Sequence, residues 1–297
     1  MLEKLKTTIS KINQVLLGKE ETVFLAITCL LAKGHLLLED TPGMGKTTLA
    51  ESLAKSFGLE FNRVHFTSDL LPADLTGVEI LDSKISNFCF KPGPMFTQVL
   101  LADEINRTSP RTQSALLEAM CNYRVSVDGK SHTLPKPFFV IASQNSLDQT
   151  GTSPLPESQL DRFLMRLSLG FPDRQSEESL LKGLNISLEN FKNDLSPQDL
   201  IEIQLEVDKF PISESIIDYV LDLVAVTRRN TKGLSPRAAK GLLHASKAWA
   251  YLKGSKILTP DHVKSVFEAV AEHRLDSGYR QNKSYSQIIL SEVDGIR

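Results

Sequence analysis

The sequence predicts an α/β protein: a parallel sheet covered by helices, interrupted by two β-hairpins and followed by a smaller all-helical domain. Three observations lead there. Short, uninterrupted apolar runs alternate with helical patterns through the first 172 residues, a glycine-rich turn joins the first run to a helix, and beyond Phe171-Pro172-Asp173 only helical patterns remain.

The elements follow in order. Val23, Phe24, Ile27, Leu30 and Leu31 fall at helical spacing, and Gly34 ends that helix. Residues 35–38 (HLLL) then read as a buried central strand, and Phe61, Val64 and Phe66 suggest a second. Residues 99–102 (VLLA) and 138–142 (FFVIA) are continuous apolar runs, as expected when both faces of a strand are covered, and 164–169 offers a fifth strand. Residues 77–91 hold two strand-like pieces around Asp82-Ser83-Lys84, and residues 123–134 alternate around Asp128-Gly129, a pair that tolerates positive φ. Both segments read as hairpins projecting from the core.

In the C-terminal part, Ser235-Pro236 and Thr259-Pro260 each place a capping hydroxyl before a proline at the first helical position. Pro211 precedes a helix expected to carry Ile216, Ile217, Val220, Leu221 and Val224 on one face. The expected division is an α/β core over 1–172 and an all-helical domain over 173–297.

Length and composition suit this plan. The chain has 297 residues, enough for two domains, with 41% hydrophobic and 24% charged residues. Its net charge of −2 argues against a nucleic acid as the main partner, because phosphate neutralisation favours basic surfaces. Cys29, Cys89 and Cys121 show no C-x-x-C spacing and read as free thiols of a reducing compartment. Lys4, Lys6 and Lys11 precede no apolar run of the signal-peptide kind, and the apolar run at 23–32 is far short of the ~20 residues that span a bilayer. The cytoplasm is the expected location, with no membrane span.

The chemistry is concentrated in three places. Asp40-Thr41-Pro42-Gly43-Met44-Gly45-Lys46-Thr47-Thr48 follows a predicted strand and opens a helix. Its glycines let successive N–H groups face phosphate oxygens, Lys46 reaches the β- and γ-phosphates, and the Thr47 hydroxyl binds Mg²⁺. The helix adds its positive dipole end. The strict phosphate-loop pattern has glycine where this chain has Asp40, yet every group that touches phosphate is present.

A second strand ends in Asp103-Glu104, at the carboxyl end where open α/β sheets place ligand chemistry. Asp103 is the candidate Mg²⁺ partner, and Glu104 the candidate base that orients or deprotonates the attacking water. The strand at 138–142 runs into Ser143-Gln144-Asn145. Asn145 either contacts the γ-phosphate or lytic water, or simply ends a strand as a turn-forming residue. Arg162 and Arg237 are equally open on local grounds. Arg237, however, lies in the first turn of a helix, where its charge opposes the dipole unless an external anion is present.

Six stretches carry a family resemblance: 38–47 (LEDTPGMGKT), 69–77 (DLLPADLTG), 91–96 (KPGPMF), 100–120 (LLADEINRTSPRTQSALLEAM), 142–163 (ASQNSLDQTGTSPLPESQLDRF) and 233–238 (GLSPRA). In consecutive order over nearly the whole chain, they resemble the MoxR-type AAA+ ATPases, the branch shared with magnesium-chelatase ATPase subunits. The resemblance implies a P-loop NTPase core with hairpin insertions and a helical lid. It also implies ATP and Mg²⁺ as cofactors. Asn145 corresponds to the polar sensor, Arg162 to the arginine finger acting on a neighbouring subunit's ATP, and Arg237 to the lid's sensor arginine. Residues 15–18, ending at Gly18, correspond to the segment lining the adenine pocket. A homo-oligomeric ring, by family a hexamer, is implied, as is a protein client that includes von Willebrand A-domain proteins.

Three function classes are weighed: a chaperone-like ATPase that remodels or activates a protein client, a DNA-linked motor or loader, and a non-hydrolysing scaffold. The DNA reading rests on hairpin-tip lysines, of which Lys84 and Lys130 are the candidates, each beside an aspartate. The scaffold reading is opposed by Glu104, since binding alone needs no water-orienting carboxylate.

Overall fold

The computed structural model describes residues 1–82, 87–145, 155–188, 191, 193, 195–275 and 284–293. Helices α1 (Leu2–Val15) and α2 (Glu20–Leu31) lead into strand β1 (Leu36–Glu39), and α3 (Lys46–Ser56) follows the glycine-rich turn. Strand β2 (Phe61–His65), helix α4 (Pro72–Thr76) and a hairpin of β3 (Gly77–Asp82) and β4 (Asn87–Pro92) come next. Strand β5 (Val99–Asp103), helix α5 (Pro110–Asn122), the second hairpin β6 (Arg124–Val127) and β7 (Lys130–Thr133), and strand β8 (Phe139–Gln144) follow. Helix α6 (Glu157–Leu160) and strand β9 (Met165–Leu167) complete the α/β part.

The five-stranded sheet has the order β2-β5-β8-β1-β9, and all its pairings are parallel. Period-2 alternation divides the central strands between two apolar layers. Leu36, Leu38, Val99, Leu101, Phe139 and Ile141 join one, while Leu37, Leu100, Ala102, Val140 and Ala142 join the other. Strands β5 and β8 are therefore buried on both faces, as their unbroken apolar runs predicted. The fifth strand is shorter than the segment 164–169 that suggested it. Beyond Leu167, three donors from residues 168–170 turn to the Asp40 carboxylate instead of continuing the ladder.

All described elements after β9 are helices: α7 (Arg174–Leu181), α8 (Pro197–Asp208), α9 (Glu214–Asn230), α10 (Pro236–Leu252), α11 (Pro260–Leu275) and α12 (Tyr285–Glu292). The apolar faces of α8 to α12 belong to the same buried layer as Leu36 and Leu38, whereas α7 buries none of its residues. Ser235 caps α10 as expected, accepting the Ala238 N–H at 3.1 Å. Thr259 behaves differently, because its hydroxyl lies 3.0 Å from Nδ1 of His262 on α11.

The expected face of α9 also needs correction. Ile216, Val220 and Val224 are buried, but Ile217 and Leu221 are 43% and 56% exposed. The advance of ~100° per residue sets 217 and 221 off to the side of the row formed by 216, 220, 223 and 227. Both hairpins form where expected, and they touch: Lys130 Nζ pairs with Glu79 at 2.6 Å, and the Phe90 and His132 rings stack at 3.8 Å. Lys84, the other hairpin-tip candidate, lies outside the described residues. No helix among the described residues is long and apolar enough to cross a membrane.

Candidate functional site

Because β5, β8 and β1 are adjacent, their carboxyl ends bring three separate sequence segments to one edge. A cavity of about 390 Å³ opens there, lined by Pro42, Gly43, Gly45, Lys46, Thr47, Thr48, Arg63, His65, Asp103, Glu104 and Asn145. Nine of the sequence candidates, from Pro42 to Asn145, therefore line a single site.

The turn after β1 is shaped for close approach. Gly43 and Gly45 have φ of 87° and 97°, and a Cβ at Gly43 would meet nothing within 4 Å, so its backbone faces open space. Lys46 begins α3 and is buried. Its Nζ donates to the Asp40 carbonyl at 2.8 Å and to Asn145 Oδ1 at 3.2 Å. Burial holds the Lys46 ammonium below the usual lysine range, against the opposing pull of Asp40, Asp103 and Glu104. An incoming anion would relieve that cost.

Asp103 ends β5. Its Oδ1 accepts the Ser143 hydroxyl at 2.5 Å, and its Oδ2 accepts Arg63 Nη2 at 2.6 Å. Burial pushes its carboxyl up, but the Ser143 and Arg63 hydrogen bonds and the Arg63 charge prevail and hold it below the usual carboxylate range. Glu104 follows in the left-handed region, with φ 58°. Its N–H donates to Ser143 Oγ at 2.9 Å, its Oε1 accepts Asn145 Nδ2 at 2.7 Å, and its Oε2 accepts Arg107 Nη1 at 2.7 Å. Burial works against ionisation here too, and the Arg107 and Asn145 hydrogen bonds overcome it, so Glu104 also lies low. Both carboxylates are ionised near neutral pH.

Asn145 thus spans the site, its amide oxygen on Lys46 and its amide nitrogen on Glu104. Arg63, His65, Ser143 and Arg107 were missed in the sequence. Arg63 and His65 lie on β2, beside β5, and only the strand order reveals that they face the acidic pair. Ser143 had a readable signal, since it lies two residues before Asn145 on the strand end already singled out.

A second cavity, about 410 Å³, shares Gly43, Gly45 and Thr48 with the first, and Met44, Val15, Leu16, Leu17, Phe171, Pro172 and Leu180 extend its wall. The two cavities adjoin, and the second, which Lys19, Glu177 and Asn185 also line, is the more apolar end. Gly18 does not line it. A Cβ at Gly18, whose φ is 70°, would meet Ser176 Oγ at 2.6 Å, so this glycine lets the turn after α1 pack against α7. Thr41 lines neither cavity.

Arg162 and Arg237 also stand outside both cavities. Arg162 Nη1 donates to the Leu117 carbonyl at 3.0 Å and lies 2.5 Å from Cys121 Sγ, both on α5. The Arg237 side chain is 60% exposed, 3.8 Å from Asp161.

The donor set fits a nucleotide with a divalent ion. Mg²⁺ is held by one or two carboxylates plus phosphate oxygens and water, and not by an all-protein cage. Thr47 and Asp103 line the same cavity and would supply that sparse set. No group of three or more His, Cys, Asp or Glu able to hold a metal occurs among the described residues.

Comparison with known proteins agrees with this geometry. Residues 35–165 match the profile of the ATPase family associated with various cellular activities (AAA), and residues 226–293 match the AAA lid domain. The chain is 43% identical to YeaC of Bacillus subtilis, covering 90% of this chain and 85% of that one. It is 35% identical to the chaperone MoxR1 of Mycobacterium tuberculosis, covering 91% and 75% respectively. A crystal structure from Cytophaga hutchinsonii, of a protein to which ATPase function is ascribed, superposes with TM-score 0.87 at 35% identity, covering 98% of this chain and 93% of that one.

Proposed function

The chain belongs to the MoxR-type AAA+ ATPases, and on that premise we propose how its residues bind and hydrolyse ATP, and to what end. The observation that carries the reading is the convergence of Lys46, Thr47, Asp103, Glu104 and Asn145 on one cavity at adjacent strand ends.

Triphosphate lies along the backbone of residues 42–48, with Lys46 leaving the Asp40 carbonyl for the β- and γ-phosphates. The base occupies the apolar end beside Met44, Phe171 and Leu180. Thr47 and Asp103 would hold Mg²⁺, which would supply charge screening for the phosphates. Glu104, ionised and fixed by Arg107 and Asn145, orients water for attack and accepts its proton. Asn145 reports on the γ-phosphate, since it already contacts the lysine and the glutamate that flank it.

Arg162 acts on a nucleotide held by a neighbouring copy of the chain. Its separation from its own cavity, and its seat on α5, support that assignment. Arg237 swings from Asp161 to its own γ-phosphate, so loss of that phosphate changes the angle between a core at 1–172 and a lid at 173–297. A closed ring, hexameric by family, follows from a site completed in trans. The output is chaperone-like remodelling or activation of a protein client, with von Willebrand A-domain proteins as the first candidates. Three free cysteines support a cytoplasmic location.

Steady-state hydrolysis of wild type and of Glu104→Gln tests the reading. Calorimetry showing no Mg²⁺–ATP uptake by wild type would overturn it. A DNA-driven role gains little from the second hairpin, whose tip lysine Lys130 is already paired with Glu79.

A further inference from the structure

Asp40 is the residue that departs from the strict phosphate-loop pattern. Its carboxylate is buried and accepts three hydrogen bonds: Ser168 Oγ at 2.7 Å, the Leu169 N–H at 2.7 Å and the Gly170 N–H at 3.1 Å. Glycine at this position would offer no side-chain acceptor. Two backbone donors, one of them on buried Leu169, would then lose their partner.

Residues 168–170 are the exit from β9 toward α7, the covalent crossing from the sheet to the helical part. Lys19, itself buried, ties the same segment from the other side, donating to the Gly170 carbonyl at 2.8 Å. Immediately beyond stand Phe171 and Pro172, which wall the apolar end of the nucleotide cavity. On its backbone side, Asp40 offers its carbonyl to Lys46 Nζ at 2.8 Å. One residue thus joins the phosphate-binding lysine to the wall of the base pocket.

We propose that Asp40 is a positioning residue that fixes the base end of the nucleotide site by anchoring residues 168–172 to the phosphate loop. The inference rests on the nucleotide reading above and deepens it: base affinity is set through the loop's first residue, and phosphate affinity is not. Removing the Asp40 side chain leaves the N–H groups of residues 42–48, Lys46 and Thr47 in place. It releases the segment that carries Phe171 and Pro172, which line the same cavity as Met44.

The test compares two ligands, Mg²⁺–ATP and Mg²⁺–tripolyphosphate, the second lacking base and ribose. Binding is measured by calorimetry for wild type, Asp40→Asn and Asp40→Gly. Asparagine turns an NH₂ toward backbone donors, and glycine restores the strict motif. ATP affinity is expected to fall roughly tenfold, as loss of charge-assisted hydrogen bonds implies, with tripolyphosphate affinity held within about twofold. Amide exchange at Leu169 and Gly170 should accelerate in step. Ser168→Ala, which removes one of the three donors and leaves the loop intact, should show the same selective loss at about threefold. Equal weakening of both ligands, or unchanged ATP affinity, overturns the proposal. Failure of wild type to take up either ligand is a separate result, and it removes the nucleotide reading itself.

Discussion

Ser143 Oγ stands 2.5 Å from Asp103 Oδ1 and at the same time accepts the N–H of Glu104 at 2.9 Å. One hydroxyl on β8 therefore joins Arg63 in holding the first carboxyl low and ties down the left-handed backbone of the second. Ser143→Ala should lower turnover about tenfold, as loss of a charge-assisted hydrogen bond at a catalytic carboxylate implies, and should raise the Mg²⁺ concentration needed for half-maximal rate. Magnesium titration of the ATPase rate checks it. An unchanged titration curve would leave Ser143 a packing residue.

Glu104→Gln keeps the side chain's shape and its contact with Asn145 while removing the proton acceptor. Turnover is expected to drop by 10² or more, about the contribution of general-base catalysis, with ATP affinity kept within a few-fold. Equilibrium binding measured beside single-turnover hydrolysis separates the two effects. Hydrolysis near the wild-type rate would take Glu104 out of its role.

Arg162→Ala should leave nucleotide affinity intact and reduce the rate of the assembled protein by about 10³, the low end of what a transition-state arginine contributes. Mixed with Lys46→Ala subunits, it should recover part of the activity, because each partner supplies what the other lacks. Absence of recovery at any mixing ratio would place both residues in one subunit's site.

Acid stability follows from the two depressed carboxyls. Burial alone raises Asp103 and Glu104, and their hydrogen bonds to Ser143, Arg63, Arg107 and Asn145 bring both below the usual range. A carboxyl lowered by folding stabilises above its unfolded value, about pH 4, and that stabilisation is lost as pH falls through the folded value. Thermal unfolding of wild type should therefore decline steeply below about pH 4, and the Asp103→Asn, Glu104→Gln double variant should decline less. Parallel curves would show that the pair does not govern acid sensitivity.

Arg274 on α11 is nearly enclosed, its side chain 6% exposed. It donates to Asp161 Oδ1 at 2.8 Å and to the carbonyls of Asp161, Phe163 and Leu164 at 3.2, 2.7 and 3.2 Å, with a further contact to the Val270 carbonyl. A lid helix thus clamps the segment that bears Arg162. Arg274→Leu should cost about 3 kcal/mol, the scale of breaking a buried ion pair from one side. Urea denaturation measures it, and a cost under about 1 kcal/mol would mean that water replaces the clamp.

Local pattern made much of this protein legible. The unbroken runs at 99–102 and 138–142 became β5 and β8 because strands buried on both faces need apolar side chains at every position. The phosphate loop was readable because Gly43, Gly45, Lys46 and Thr47 act within one turn. Arg63 and His65 were not readable. They reach Asp103 from β2, 40 and 38 residues upstream, through a strand adjacency that no local spacing encodes. Ile217 and Leu221 illustrate the opposite failure, since apolar character on α9 did not secure a buried position.

The sequence by itself determined the fold class, the phosphate loop and the acidic pair, because hydrophobic periodicity, glycine conformations and a strand-end location are properties of short contiguous segments. Only tertiary structure decided that Asp40 reaches residues 168–170, that Ser143 bridges Asp103 and Glu104, and that Arg162 turns to α5. Those contacts depend on strand order and helix placement, and therefore on the packing of segments far apart in the chain.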